Sequence, residues 1–362
     1  MKDNVQERMT FSVVDTGSAS LPKYTENQNS KGFVNYGSDN KFPEFPKMLA
    51  TESATVASII KGTVRYICGN GIHTSVPRWE GSVNRKGDDL NDIVEALATD
   101  LLTYGGFALQ VIYSKLGSVA ELFALDFARC RTDESGRKVF YAKRRWGSYT
   151  QDYDVYDAFD RDHIDPEKMT QIFYCNGNVR TVYPRPSWEG CFRDALSEIE
   201  ASKLALSQLE NGLVAKTVIT LPNDASNLTP DEKKLVEQAI RDKFTGVGPG
   251  KSSFMIFWRE EGMQDLKVDS ITTEDDTARY TELKKASREN IFISFQCTPE
   301  LMGLPRENQG FDTSQVMDEF KLYEKTVVGP AQKKILKVLR KVTEAQDLNI
   351  LPFSLDELKE EE

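Results

Sequence analysis

Residues 189–212 read EGCFRDALSEIEASKLALSQLENG, and the interpretation of this stretch decides the fold. It follows Tyr183-Pro184-Arg185-Pro186, where two prolines bar any helix running in from upstream. Phe192, Leu196, Ile199, Leu206, Leu209 and, just beyond, Leu213 then recur on one helical face. About 24 residues at ~1.5 Å each predict a rod of roughly 36 Å, against a usual helix of ~11–12 residues. Its apolar face is too narrow for burial on all sides.

Downstream, residues 217–274 read as a small α+β module. A strand over Thr217 to Leu221 leads to a Pro/Asn/Asp/Ser turn. A helix follows with Thr229 as N-cap, Pro230 at its first position and Glu232 at capping-box spacing. A strand over Phe254 to Trp258 closes the module. A second long helix, 275–296, begins after Thr272-Thr273, where Asp275 and Asp276 favour the positive helix N-terminus. Tyr280, Leu283, Ile291 and Phe295 lie near one of its faces. Residues 297–313 form a Gly/Pro/Asn/Gln-rich loop, and a third long helix covers 314–342, interrupted at Gly329-Pro330. Residues 343–362 read as a short acidic tail.

Upstream, residues 1–40 are polar and read as a loose arm, and residues 41–190 mix helices and strands. Leu49, Val56, Ile59, Ile60, Val64 and Ile67 have helical spacing up to Gly69-Asn70-Gly71. A second helix runs from Asp88-Asp89 to Tyr104. Phe107 to Tyr113, Ala120 to Asp126, Lys138 to Lys143 and Gln171 to Asn176 read as strands, while 147–165 shows no period. The fold class is α+β.

A chain of 362 residues holds two or three structural units, and 39 % apolar residues suffice for a core. No apolar run reaches the ~18 residues of a membrane span, and no secretory signal is expected from the first residues. Five scattered cysteines without a CxxC, and two histidines, argue against a disulfide scaffold and a zinc site. The expected setting is a reducing cytosol. A net charge of −10 is ordinary solubility charge and disfavours stable duplex binding by a monomer. Charge is nevertheless uneven. Five acids (Glu300, Glu307, Asp312, Asp318, Glu319) face Arg306 alone between Pro299 and Phe320. Seven bases (Lys321, Lys325, Lys333, Lys334, Lys337, Arg340, Lys341) then face Glu324 alone.

Chemistry-bearing motifs fail inspection. Thr245-Gly246-Val247-Gly248-Pro249-Gly250-Lys251-Ser252 has Thr245 where a phosphate-binding loop needs glycine, and it joins a helix to a strand rather than the reverse. His73 and His163 have no organised nucleophile, and Asp275-Asp276 is better explained by helix capping. No catalytic residue, metal or cofactor is expected.

Six strings, in order, resemble the tailed-phage portal family. They are Gly37-Ser38-Asp39-Asn40-Lys41-Phe42-Pro43, Tyr104-Gly105-Gly106-Phe107-Ala108, Asn211-Gly212 followed by Ile219-Thr220-Leu221-Pro222, Phe244-Thr245-Gly246 with Gly250-Lys251, Gln296-Cys297-Thr298-Pro299-Glu300-Leu301-Met302-Gly303, and Val327-Val328-Gly329-Pro330-Ala331-Gln332. The resemblance implies a portal-like fold. Residues 41–190 would be its wing, 191–216 and 275–296 its stem helices, 217–274 its clip, and the crown after the last long helix would be reduced.

It further implies a homo-oligomeric ring, twelve-fold as in the family, conducting double-stranded DNA at a capsid vertex. Glu300, Arg306, Glu307, Asn308, Gln309 and Asp312 would belong to a channel loop touching DNA only transiently. Lys321, Lys325, Lys333, Lys334 and Lys337 would lie near DNA or a neighbouring subunit. The clip, with Thr229, Glu232, Lys251 and Trp258, would meet the large terminase and later the head–tail adaptor. The wing would meet the major capsid or scaffold protein. The expected location is the virion, with the host cytoplasm during assembly. The alternatives are another head–tail structural protein or a cytosolic enzyme.

Overall fold

The computed structural model describes residues 21–147, 152–177, 180–210, 217–221, 235, 254–258, 274–304 and 313–353. Its centre is a six-stranded sheet ordered β5-β4-β9-β8-β7-β6. The strands are β4 (Gly106–Tyr113), β5 (Val119–Leu125), β6 (Cys130–Thr132), β7 (Lys138–Ala142), β8 (Tyr153–Ala158) and β9 (Thr170–Asn176). Each hydrogen-bonded pair is antiparallel except β8–β9, which is parallel. β8 arises from the stretch that showed no sequence period. Five of its six residues are half-buried and Val155 is exposed, so the alternation that marks a one-sided strand is absent.

Helices cover the sheet. The expected first helix is two, α1 (Glu44–Glu52) and α2 (Ala54–Cys68), because Ser53 adopts extended backbone and its hydroxyl accepts from Val56 N at 3.2 Å. α3 (Leu90–Tyr104) starts in a reciprocal capping box between Asp89 and Asp92 and stops at left-handed Gly105.

Residues 21–40 correct the expectation of a loose arm. β1 (Glu26–Gln28) and β2 (Val34–Tyr36) form a hairpin, and Phe33, Val34 and Tyr36 are buried. The Tyr36 ring stacks on Tyr183 with centroids 4.2 Å apart. Aromatic residues spaced among polar ones carry this segment into the core, although its composition reads as disordered.

The two long helices are α4 (Phe192–Glu210) and α5 (Glu274–Ser294), which pack along each other. Among the described residues, those buried in the core lie toward one end of each helix. Phe192, Ala195 and Ile199 of α4, and Ile291 and Phe292 of α5, are buried, as is Phe295 just past α5. Trp188 stacks on Phe295, and Asn290 Nδ2 donates to Asp194 Oδ1 at 2.8 Å. Further out, Leu206 is 56 % exposed and Leu283 47 %, so the apolar stripes run past the cover their own chain provides. Between these helices, β10 (Thr217–Leu221) and β11 (Phe254–Trp258) pair in parallel, from Thr217 opposite Phe254 to Leu221 opposite Trp258. Both strands have the bounds expected from sequence.

After residue 313 the chain forms α6 (Thr313–Tyr323), one π-helical turn (Glu324–Val328) and α7 (Gly329–Thr343). The expected interruption at Gly329-Pro330 is a widened turn rather than a break. Pro330 has no N–H to give Thr326, and the Gly329 N–H donates to Glu324 O. The start of the expected acidic tail is also part of the fold. Ala345, Leu348 and Ile350 are buried, and a strand β12 (Asn349–Ile350) pairs with β3 (Ile72–His73). Among the described residues no helix is long and apolar enough to cross a membrane.

Candidate functional site

The root of the polar loop is a clamped turn. Pro299–Met302 forms a 3-10 turn ending at left-handed Gly303. Leu301 is buried, and its carbonyl accepts from Tyr66 OH at 2.7 Å. Met302 lies where any Cβ on Gly62 would sit, so α2 presses directly on the turn. Thr298 Oγ1 donates to Glu319 Oε2 at 2.7 Å, tying the turn to α6. Beneath it, Tyr323 OH and Thr63 Oγ1 lie 2.7 Å apart. Burial pushes the Cys297 thiol up to about 12, with the Tyr323 hydroxyl beside it opposing and the Glu300 charge adding to the rise. Glu300 is therefore half-buried at the fixed base, beside the Cys297 thiol. Arg306, Glu307, Asn308, Gln309 and Asp312 lie outside the described residues, as do Thr229, Glu232 and Lys251 of the small module. Trp258 ends β11.

The basic helix divides into parts. Lys321 pairs with Asp318 at 3.1 Å, three residues back on α6, and Lys325 is exposed on the π turn. Beyond the turn, Lys333 and Lys337 join Arg340 and Lys341 along a groove of about 690 Å³. Arg340 Nε donates to Leu348 O at 2.8 Å, and the Lys341 ammonium lies over the Phe159 and Phe173 rings at 5.5 and 5.8 Å. Lys334 turns toward the end of β9, where its charge and that of Lys337 act on the Cys175 thiol; burial outweighs them and raises that thiol. Sequence reasoning missed Gln346 and Asn349, which complete the groove. The chain folds back on α7 through left-handed Glu344, and nothing in the sequence marks that reversal.

Groups with catalytic potential are scattered or sealed. His163 is exposed, with Nδ1 3.0 Å from Asp160 Oδ2, and His73 sits in the short strand β3. The five cysteines are free, and burial raises every thiol. No cluster of three or more metal-ligating side chains occurs among the described residues. A second concavity of about 570 Å³ between α1, α2, α3 and β5 contains Asp100 and Asp126, the latter 3.0 Å from Lys47 Nζ.

No curated protein sequence matches this chain. Its fold is similar to a chain in the virion of a native gene transfer agent particle, with TM-score 0.55 and 14 % identity over 87 % of this chain and 85 % of that one. It is equally similar to a chain in the neck of the empty particle, with TM-score 0.55 and 16 % identity over 87 % and 85 %. The neck of the native particle, computed with C12 symmetry, gives TM-score 0.54 and 15 % identity over 86 % and 84 %. At such identities the likeness is one of fold. Sequence provides the further step, because the family described as phage portal protein matches residues 87–361, a span that runs from α3 past the small module and through the basic helix. The chain belongs to the phage portal protein family.

Proposed function

We propose that this chain is the repeating subunit of a twelve-fold ring at a capsid vertex, enclosing a channel through which double-stranded DNA is packaged and released. One observation carries the reading. Two long helices have buried residues at their core ends and continue outward with Leu206 and Leu283 exposed, on either side in sequence of the parallel pair β10–β11. Identical neighbours arranged in a closed ring cover such faces without any further protein. The necks of gene transfer agent particles, determined with C6 and C12 symmetry, support a cyclic assembly for this fold.

In this arrangement the loop at 297–313 faces the channel, and its acids keep DNA contacts weak enough to release. The module at 217–274 docks the large terminase during packaging and the head–tail adaptor afterwards. The wing meets the major capsid or scaffold protein. The subunit performs no covalent chemistry, and the terminase drives movement of the DNA. The assembled protein resides in the virion, after assembly in the host cytoplasm.

Electron microscopy of the purified full chain, with light scattering across concentration, tests this. Rings with an axial hole of about 20 Å or more, the width a duplex with its ~12 Å major groove requires, are expected. A particle that stays monomeric with and without capsid protein refutes the proposal.

A further inference from the structure

We infer that the groove along α7 is a second DNA-holding surface, separate from the channel loop, which takes the phosphates of a duplex without regard to sequence. Lys333, Lys337, Arg340 and Lys341 line it together with the amides of Gln332 and Asn349, and among the described residues no acid lines it. This is a local concentration of positive charge on a chain whose net charge is −10. Lys333, Lys337 and Lys341 recur every four residues, which places them about 6 Å apart along the helix. That is close to two steps of the ~3.4 Å phosphate rise of one DNA strand.

The groove's construction favours phosphate over a protein partner. Among the described lining residues the one large apolar side chain, Leu336, is buried and none is aromatic; the Phe159 and Phe173 rings lie beneath the Lys341 ammonium and not in the lining. A protein interface is built around aromatic or aliphatic anchors. Cations and amides without such an anchor match backbone contacts to nucleic acid. Arg340 is pre-set for the role. Its Nε is occupied by Leu348 O, which fixes the guanidinium plane. The groove also lies roughly 35 Å along the helix from Thr313, where the channel loop ends. A duplex held here is therefore held at a different height of the subunit from the loop.

The test measures binding of the full chain to a 30-base-pair duplex of arbitrary sequence, by fluorescence anisotropy from ~50 to ~200 mM salt. Lys333→Gln/Lys337→Gln leaves the core untouched, since both side chains are exposed. The pair should weaken binding on the order of tenfold or more and lower the slope of log K against log salt by about two. Lys321→Gln/Lys325→Gln, outside the groove, should change both far less. Equal effects from the two pairs, or no effect from the first, overturn the proposal. Light scattering on the same samples separates the other occupant. If Lys333→Gln/Lys337→Gln abolishes assembly while each remaining particle binds DNA as before, the groove is a subunit contact and the inference is wrong. If the wild type binds DNA through the groove but never forms rings, the ring reading fails and the groove stands.

Discussion

Asn40 holds the buried guanidinium of Arg131 from two sides. Arg131 Nε donates to Asn40 Oδ1 at 2.6 Å, and Nη2 donates to the Asn40 carbonyl at 2.7 Å. Arg131 Nη1 donates to the carbonyls of Ala128 and Cys130 at 2.9 and 2.6 Å, and Trp146 lies 4.9 Å from the guanidinium carbon. Asn40 itself has φ +59°, and its Oδ1 also accepts from Tyr36 N. One side chain thus fixes a left-handed corner, the hairpin and a buried cation. Asn40→Ala should destabilise by about 2–4 kcal/mol, because it strips a buried charge of a partner and strains the corner. Asn40→Gly keeps the backbone freedom and loses only the acceptor. Urea denaturation should rank the wild type above Gly above Ala. Equal stability of all three would mean that Arg131 is held without Asn40.

The glycines of Tyr104-Gly105-Gly106-Phe107 are required for different reasons. Gly105 is left-handed at φ +84°, and a Cβ there would meet the Arg185 backbone. A Cβ on Gly106 would meet the Cys175 carbonyl of the neighbouring strand and Pro184. Gly117 is also left-handed, at φ +79°, but faces open space. Gly117→Ala should therefore cost only the conformational penalty of about 1 kcal/mol. Gly105→Ala and Gly106→Ala should each cost clearly more, since backbone cannot move aside as a side-chain tip can. Thermal melts of the three variants check the order. A Gly105→Ala melt equal to that of Gly117→Ala would contradict the close approach.

Much of this was legible from the chain and some of it was not, for physical reasons. Helix α3 was readable end to end, since Asp89 and Gly105 are local signals that hold whatever surrounds them. So were β10 and β11, which are short apolar runs between turn residues. The Gly37–Pro43 string was visible as a pattern, but its purpose was not, because Arg131 lies 91 residues from Asn40. The hairpin at 26–36 was hidden by polar composition. Of the channel residues, Glu300 was grouped with its sequence neighbours, yet the 3-10 turn places it beside Cys297. The groove was half readable. The spacing of Lys333, Lys337 and Lys341 showed a basic face, but its far wall comes from Gln346 and Asn349 after a reversal with no sequence signature.

Two carboxylates should give stability opposite dependences on pH. The Ser75 hydroxyl, then the Ser75 N–H and more weakly Thr74 Oγ1, donate to Asp347 and hold its carboxyl down to about 2. The stability it contributes is complete above the unfolded value of ~3.9 and is lost as pH falls from there toward about 2. Asp100 runs the other way. Burial, and then the charge of Asp126, hold its carboxyl well above the ordinary range. Its contribution is therefore complete below the unfolded value and is lost as pH rises through the folded one. Asp347→Asn should flatten the acid limb of a melting-temperature profile between about pH 2 and 4. Asp100→Asn should raise the melting temperature at neutral pH, with a gain that shrinks as the solution is acidified. A gain that grows on acidification would reverse the assignment for Asp100.

The acids near the channel loop should separate into two classes under charge reversal. Glu300 is half-buried at the clamped turn that Tyr66, Gly62 and Glu319 hold in place. A lysine there puts a longer, charged side chain into a half-buried position on that turn, so Glu300→Lys should lower stability and impair ring formation before any effect on DNA can be read. Glu307 and Asp312 lie past the turn. On the channel reading, Glu307→Lys/Asp312→Lys should leave assembly intact and slow packaging, because added cations deepen phosphate contacts that must be released at each step. The slowing should relax as salt is raised, since salt screens those contacts. In a packaging assay with purified heads, a normal rate for the double variant at low salt would place those two acids away from the DNA. A normal ring from Glu300→Lys would show that the turn tolerates a cation, and that Thr298, Leu301 and Met302 hold the clamp without Glu300.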